Sequence, residues 1–269
     1  MEQIIQDHKN SKIIWRRYGQ GPQKVICIHG YGEDASKFEF LQPSLGNLYS
    51  FYCINLPYHG ETIWNELEEF ETVTLATIIK DFFKGDADAG FYLLGYSLGG
   101  RIALALYEEN PILFKKLILL APDGFVVNPW YWLATQTSLG NKLFSYTMKK
   151  PHWFFAVIKK LNSWKIINDS VFKFAHYYVD DAAARELLYK RWTGLRKFKP
   201  SLGKIAKLMI ENNTQLRLLY GRFDKIILPA KGKSFCKKIG TLGEVKIVPA
   251  GHQLLNERIV PEITDALMH

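Results

Sequence analysis

Cysteine is scarce in this chain: three residues of 269, Cys27, Cys53 and Cys236. An odd number without metal-ligand spacing argues against a disulfide framework and against a cysteine-built metal centre. Cys27 and Cys53 each fall inside an apolar, strand-like run, where cysteine acts as a small buried hydrophobe, so a reducing, cytoplasmic setting is expected. No run of eighteen or more apolar residues occurs, and no transmembrane helix is expected. The stretch Met1 to Lys9 carries no basic region followed by an apolar one, and reads as no secretory signal. Internal repeats and low-complexity segments are also missing.

What is present is an ordinary globular composition, 48% hydrophobic and 23% charged, long enough for one large α/β domain carrying an insertion. The net charge of +9 is unevenly placed. Residues 125–213 hold 15 Lys and Arg against 5 Asp and Glu, and 17 of the 38 aromatic residues. A basic, aromatic-rich module is thus embedded in an almost neutral protein. By base rate most of those charges are a solvated helix face, and most of the aromatics are packing.

Short apolar runs alternate with helix-like segments. Lys24–Ile28, Phe51–Leu56, Phe91–Gly95, Lys116–Ala121, Gln215–Tyr220 and Glu244–Val248 read as strands, and their near-continuous apolar character predicts a parallel sheet covered on both faces. Ser11–Tyr18 alternates more, as an antiparallel edge strand would. Helical spacing appears at Leu75, Ile78, Ile79, Phe82 and Phe83, and again through Ile102–Tyr107. The rhythm breaks at residues 125–213, which read as several short helices punctuated by Pro129, Pro151 and Pro200. The expected organisation is a core of residues 1–124 and 214–269 with a helical cap of residues 125–213.

The most informative motif is Gly95-Tyr96-Ser97-Leu98-Gly99, between an apolar strand and the helix-like Gly100–Leu106. A serine on so tight a strand-to-helix turn is lifted above the sheet, and side chains at Gly95 or Gly99 would collide with the neighbouring elements. A serine nucleophile needs a base, and the base needs an orienting carboxylate. Asp224 follows the Gln215–Tyr220 strand and His252 follows the Glu244–Val248 strand. All three residues therefore fall at carboxyl ends of strands, where open α/β sheets gather their catalytic groups. His29-Gly30-Tyr31-Gly32 closes the first parallel strand. The backbone N–H of Tyr31, with that of Leu98 on the elbow, is positioned to receive an oxyanion. His29 reads as shaping that loop by hydrogen bonding rather than doing chemistry. His59, His152 and His176 read as non-catalytic, the last two lying in the cap where they could touch substrate.

Together His29-Gly30, the Asn55-Leu56-Pro57-Tyr58-His59-Gly60 turn, the Ser97 elbow, the Asp224 loop and Gly251-His252 resemble the α/β-hydrolase superfamily in its single-domain form with a helical cap. The resemblance spans nearly the whole chain except the cap. It implies a Ser-Asp-His triad in that chain order, with no metal and no organic cofactor. Where relatives carry an Asp-Leu-Pro-Gly-His-Gly type of turn, this chain has Asn55 and Tyr58. Some relatives place the triad acid after the preceding strand, which makes Asp123 the rival of Asp224. A serine at the elbow argues against the haloalkane dehalogenase and epoxide hydrolase branches, which use aspartate there.

The expected function is a carboxylesterase-like serine hydrolase acting on a small-molecule ester or acyl substrate. The basic cap keeps open a thioesterase, a carbon–carbon bond hydrolase or a lyase acting on an anionic metabolite, and also peripheral contact with an anionic membrane surface. A non-enzymatic ligand-binding protein on the same fold would characteristically lose triad members, and this chain keeps all three. No nucleic-acid-binding motif is recognisable, and none is expected as a partner.

Overall fold

The apolar runs form the middle of one eight-stranded sheet, as seen in the computed structural model, which describes residues 1–84, 90–163 and 179–269. The strands are β1 (Glu2–His8), β2 (Ser11–Tyr18), β3 (Gln23–Ile28), β4 (Tyr49–Ile54), β5 (Phe91–Tyr96), β6 (Phe114–Leu120), β7 (Gln215–Gly221) and β8 (Gly243–Val248). Their order is β1-β2-β4-β3-β5-β6-β7-β8. From β4 onward every pairing is parallel, and β1 and β2 pair antiparallel at one edge. All six residues of β4 are buried, and so are six of the seven in β6. Successive side chains point to opposite faces, so both faces of these strands are covered.

Ser11–Tyr18 is antiparallel as expected, but it is not the edge. β1 lies outside it, paired in full register from Glu2–Arg17 to His8–Ser11. β1 is polar and largely exposed, with Ile4 and Ile5 side by side rather than alternating. It carries no period-2 signal and is held by its hairpin partner instead.

Among the described residues the helices are α1 (Gln42–Leu45), α2 (Thr72–Phe82), α3 (Leu98–Glu109), α4 (Pro129–Gln136), α5 (Ser138–Lys149), α6 (His152–Ser163), α7 (Ala182–Gly194), α8 (Leu202–Glu211), α9 (Ala230–Ile239) and α10 (Val260–Met268). None is long and apolar enough to cross a membrane. Leu75, Ile78 and Ile79 form the buried stripe of α2, as their spacing predicts. Cys27 and Cys53 face each other across β3 and β4, fully buried and free, and burial pushes the Cys53 thiol well up.

The chain divides into two compact units, Met1–Val126 with Lys197–His269, and Val127–Arg196. The second unit is a set of capped helices. Asn128 accepts the Trp130 and Tyr131 N–H groups at the start of α4, with Pro129 in its first turn. Thr137 caps α5, and Asp181 caps α7. The aromatics of this unit pack on one another: Trp192 lies 5.3 Å from Tyr131 and 5.4 Å from Phe144, which in turn meets Tyr189. The patterning carried the insertion to residue 213, whereas the compact unit ends at Arg196. α8 packs instead on α3 and α9 of the larger unit, burying Ile205, Ala206 and Met209.

The elbow is the tightest point of the fold. A Cβ on Gly99 would sit 2.0 Å from the Ile28 carbonyl oxygen, and one on Gly95 would sit 2.7 Å from the Gly99 oxygen. α3 therefore begins in direct backbone contact with the ends of β3 and β5. Glycine→Ala replacement at Gly99 should cost about 3 kcal/mol or more, since the obstructing atoms are backbone and cannot move aside. Urea denaturation of the Gly99→Ala protein should show a lowered midpoint with an unchanged slope; a wild-type midpoint would mean the helix start can slide.

Candidate active site

Ser97 stands between β5 and α3 with φ 50° and ψ −114°, a left-handed-side conformation that a residue with a Cβ rarely adopts. Strain of this kind costs on the order of 1–3 kcal/mol and persists only where the surroundings enforce it. Here they do. The Ser97 N–H donates to the Leu120 carbonyl at 3.0 Å, and the Ser97 carbonyl accepts from Gly100 and Asp123 N–H groups at 2.9 Å each.

The structure brings Ser97, His252 and Asp224 together. Ser97 Oγ lies 3.1 Å from His252 Nε2, and His252 Nδ1 lies 2.8 Å from Asp224 Oδ2. The other oxygen, Asp224 Oδ1, accepts the Ile226 and Ile227 N–H groups at 2.7 and 3.0 Å. A carboxylate that only accepts requires hydrogen on Nδ1. Nε2 is then the basic lone pair facing the serine hydroxyl, which donates to it. The Asp224 side chain is fully buried, while that of His252 is 22% exposed, so the imidazole is anchored at one end and accessible at the other.

Asp123, the rival acid, is engaged elsewhere. Its Oδ2 pairs with Arg101 Nη1 at 3.5 Å and its Oδ1 accepts the Gly124 N–H at 2.7 Å. Asp224→Asn should therefore lower kcat by on the order of 10⁴, because the Ile226 and Ile227 N–H groups claim the amide oxygen and leave its NH2, a donor, facing Nδ1. Asp123→Asn should leave kcat within a few-fold of wild type. Parallel steady-state kinetics of the two variants decides between them, and the reverse order of damage would move the acid to Asp123.

Tyr31 and Leu98 lie on the two segments expected to receive an oxyanion. Leu98 opens α3, and the first N–H groups of a helix have no acceptor within it. Tyr31 follows Gly30 on the loop after β3, and His29 fixes that loop. The buried His29 accepts the Leu56 N–H at Nε2 (3.1 Å) and, by the tautomer this demands, donates from Nδ1 to the Gly30 carbonyl (2.8 Å). The Asn55–Gly60 turn, where the sequence departs from the family pattern, is held by local contacts. Tyr58 takes φ 66°, the conformation a glycine takes more readily, and Asn55 Oδ1 accepts the Ala35 N–H at 2.6 Å. His59 is buried beside His29, with its Nδ1 2.9 Å from the Pro57 carbonyl. His152 opens α6 of the smaller unit as an exposed residue, and His176 lies outside the described residues. Among the described residues no cluster of His, Cys, Asp or Glu has the grouping needed to hold a metal ion.

Three residues beside the triad carry no signal in the sequence. Tyr96 lies under the His252 ring, Gln253 follows His252, and Glu33 follows the Tyr31 loop. Glu33 and Gln253 meet across 220 residues of chain, a separation that no local pattern reports.

A family profile described as alpha/beta hydrolase fold matches residues 24–187. A pimeloyl-(acyl-carrier protein) methyl ester esterase of Aeromonas hydrophila is 25% identical over 219 residues, covering 78% of this chain and 80% of that protein. An uncharacterized hydrolase of Bacillus subtilis is 27% identical over 106 residues, 39% of each chain. The chain spans about two fifths of the length of most curated relatives it matches. Among solved structures, a thermophilic esterase from Thermogutta terrifontis superposes with a TM-score of 0.68 at 16% identity, covering 99% of this chain and 98% of the other.

Proposed function

The chain belongs to the α/β-hydrolase fold family, and we propose that it is a hydrolase, a carboxylesterase working through Ser97, His252 and Asp224. Ser97 Oγ attacks the acyl carbonyl while His252 Nε2 takes the serine proton. The tetrahedral oxyanion is received by the N–H groups of Tyr31 and Leu98. The imidazolium gives its proton to the leaving alcohol, which departs and leaves an ester on Ser97. A water molecule, deprotonated by Nε2, then attacks that ester and releases the acid. Asp224 holds the imidazole in the required tautomer and stabilises its charged form.

The observation that carries this reading is the pair of hydrogen bonds, 3.1 Å and 2.8 Å, that lines up hydroxyl, imidazole and carboxylate at a strained elbow. The Aeromonas relative, named as a methyl ester esterase, supports an ester as substrate. A fluorophosphonate probe should label the wild-type protein at one serine and fail on Ser97→Ala. Ser97→Ala and His252→Ala should each lower kcat by several orders of magnitude, with a double variant little worse than either single one. Equal labelling of wild type and Ser97→Ala would remove Ser97 from the reaction.

The Val127–Arg196 unit is proposed as the cap, because the chain leaves the larger unit after β6, whose neighbour β5 carries the elbow. It holds 11 basic and 4 acidic residues, a charge that favours an anionic acyl substrate. Such a cluster attracts an anion over a distance screened to about 8 Å at physiological ionic strength. Raising salt should therefore lower kcat/KM for an ester bearing a carboxylate and leave p-nitrophenyl acetate nearly unchanged. Replacing Lys149, Lys150, Lys159 and Lys160 by Gln should flatten that salt dependence; a dependence of unaltered slope would make these lysines solvated surface only.

A further inference from the structure

Beside the triad runs a second chain of side chains, polar along its whole length. Tyr96, the residue before Ser97, lies with its hydroxyl 2.9 Å from Gln253 Oε1 and 3.2 Å from the His252 carbonyl oxygen. Gln253 Nε2 donates to Glu33 Oε1 at 2.8 Å, and Glu33 Oε2 faces the Gly30 N–H at 3.4 Å. The Tyr96 ring is buried between neighbours from both sides: its centroid is 5.5 Å from that of His252, and a Cβ on Gly30 would lie 2.8 Å from its ring carbons. The segments joined are those that carry the nucleophile, the base and the Tyr31 oxyanion loop.

The direction of each bond is fixed by chemistry. An ionised Glu33 can only accept, so the Gln253 amide must turn its NH2 toward Glu33 and its oxygen toward Tyr96. The Tyr96 hydroxyl, with one hydrogen to give, then donates into the His252–Gln253 segment. We propose that Glu33, acting through Gln253 and Tyr96, is a positioning residue that locks the oxyanion loop and the His252 loop to the nucleophile elbow. This role rests on the Ser97 mechanism above and adds to it residues that do not touch the reacting atoms.

Burial disfavours the charged form of Glu33. Burial, the largest influence, raises its carboxyl above the usual carboxylate range, opposed by the Gln253 and Gly30 donors and by the charges of Lys37 and His252. The Tyr96 hydroxyl, which feels the negative charges of Glu33 and Asp224, is likewise pushed up, mainly by burial. A carboxyl that binds its proton more tightly folded than unfolded lowers stability as pH rises from its unfolded value to its folded one. Glu33→Gln therefore removes a charge that burial penalises while keeping the size of the side chain.

The test uses the full chain as wild type, Glu33→Gln, Gln253→Leu, Tyr96→Phe and the double variant Glu33→Gln with Gln253→Leu. Measured for each are the rate of fluorophosphonate labelling, kcat and KM on p-nitrophenyl acetate, and the thermal midpoint at pH 7. Displacements well under an ångström at reacting groups cost rates steeply, so each single variant should label and turn over roughly tenfold more slowly, with KM within about twofold. Losses in the double variant should equal, not multiply, those of the single ones. The Glu33→Gln midpoint should be no lower than that of wild type. Single variants that label at the wild-type rate overturn the positioning role while leaving Ser97 as nucleophile, and so do losses that multiply. A wild-type protein that does not label at all overturns the Ser97 reading, and this role falls with it. The Tyr96→Phe variant keeps the buried ring and removes only the hydroxyl, so its rate reports on the polar chain even where the other variants disturb folding.

Discussion

The strained backbone at Ser97 is the constraint on which the rest of this molecule depends. A serine held at φ 50° is stable only if the strand before it and the helix after it are both immovable. β5 is immobilised by parallel pairing on both sides, with β3 and β6. α3 is immobilised by starting in backbone contact with the Ile28 and His29 carbonyls, which is why a glycine stands at position 99. Gly100 repeats the device against Pro122 at the end of β6. The sheet's parallel core thus does more than bury apolar area: it holds the turn in a conformation the turn would not choose.

Around that point the site is built from side chains that carry a donor at one end and an acceptor at the other. His252 joins Asp224 to Ser97. His29 joins Leu56 to Gly30, linking the loops after β4 and β3. Gln253 joins Tyr96 to Glu33. In each case a group that only accepts or only donates sets the orientation of the two-ended side chain, so hydrogen placement follows from the terminal partner and needs no solvent. Loops that would otherwise be the least fixed parts of an α/β fold are tied in pairs by such links.

How much of this could be read beforehand follows the range of the interaction that creates each feature. The central strands and the elbow are local: six apolar runs and one glycine-bracketed serine carry their own signal, and each run became a strand within two residues of its expected start. The grouping of Ser97, Asp224 and His252 was legible through topology, because parallel strands deliver their carboxyl ends to one edge. β1 was not legible, since its Ile4-Ile5 pair breaks alternation and only β2 makes it a strand. The end of the insertion was not legible: the basic, aromatic-rich stretch runs on to residue 213, whereas the stripe Ile205, Ala206 and Met209 packs α8 with the larger unit. The Glu33–Gln253 link was beyond reach, as it pairs two ordinary polar residues 220 positions apart.

Charge is distributed as sharply as strain. With the Val127–Arg196 unit set aside, the remaining chain holds 24 basic and 22 acidic residues, close to neutral, while the unit itself is +7 over 70 residues. The smaller unit combines a cluster of half-buried aromatics, Tyr131, Phe144, Tyr189 and Trp192, with exposed lysines. Long-range attraction of an anion draws on net charge, whereas stabilisation of developing charge draws on aligned dipoles close to the reacting atoms. In this chain the excess positive charge falls in one compact unit, and Ser97, His252 and Asp224 all fall in the other.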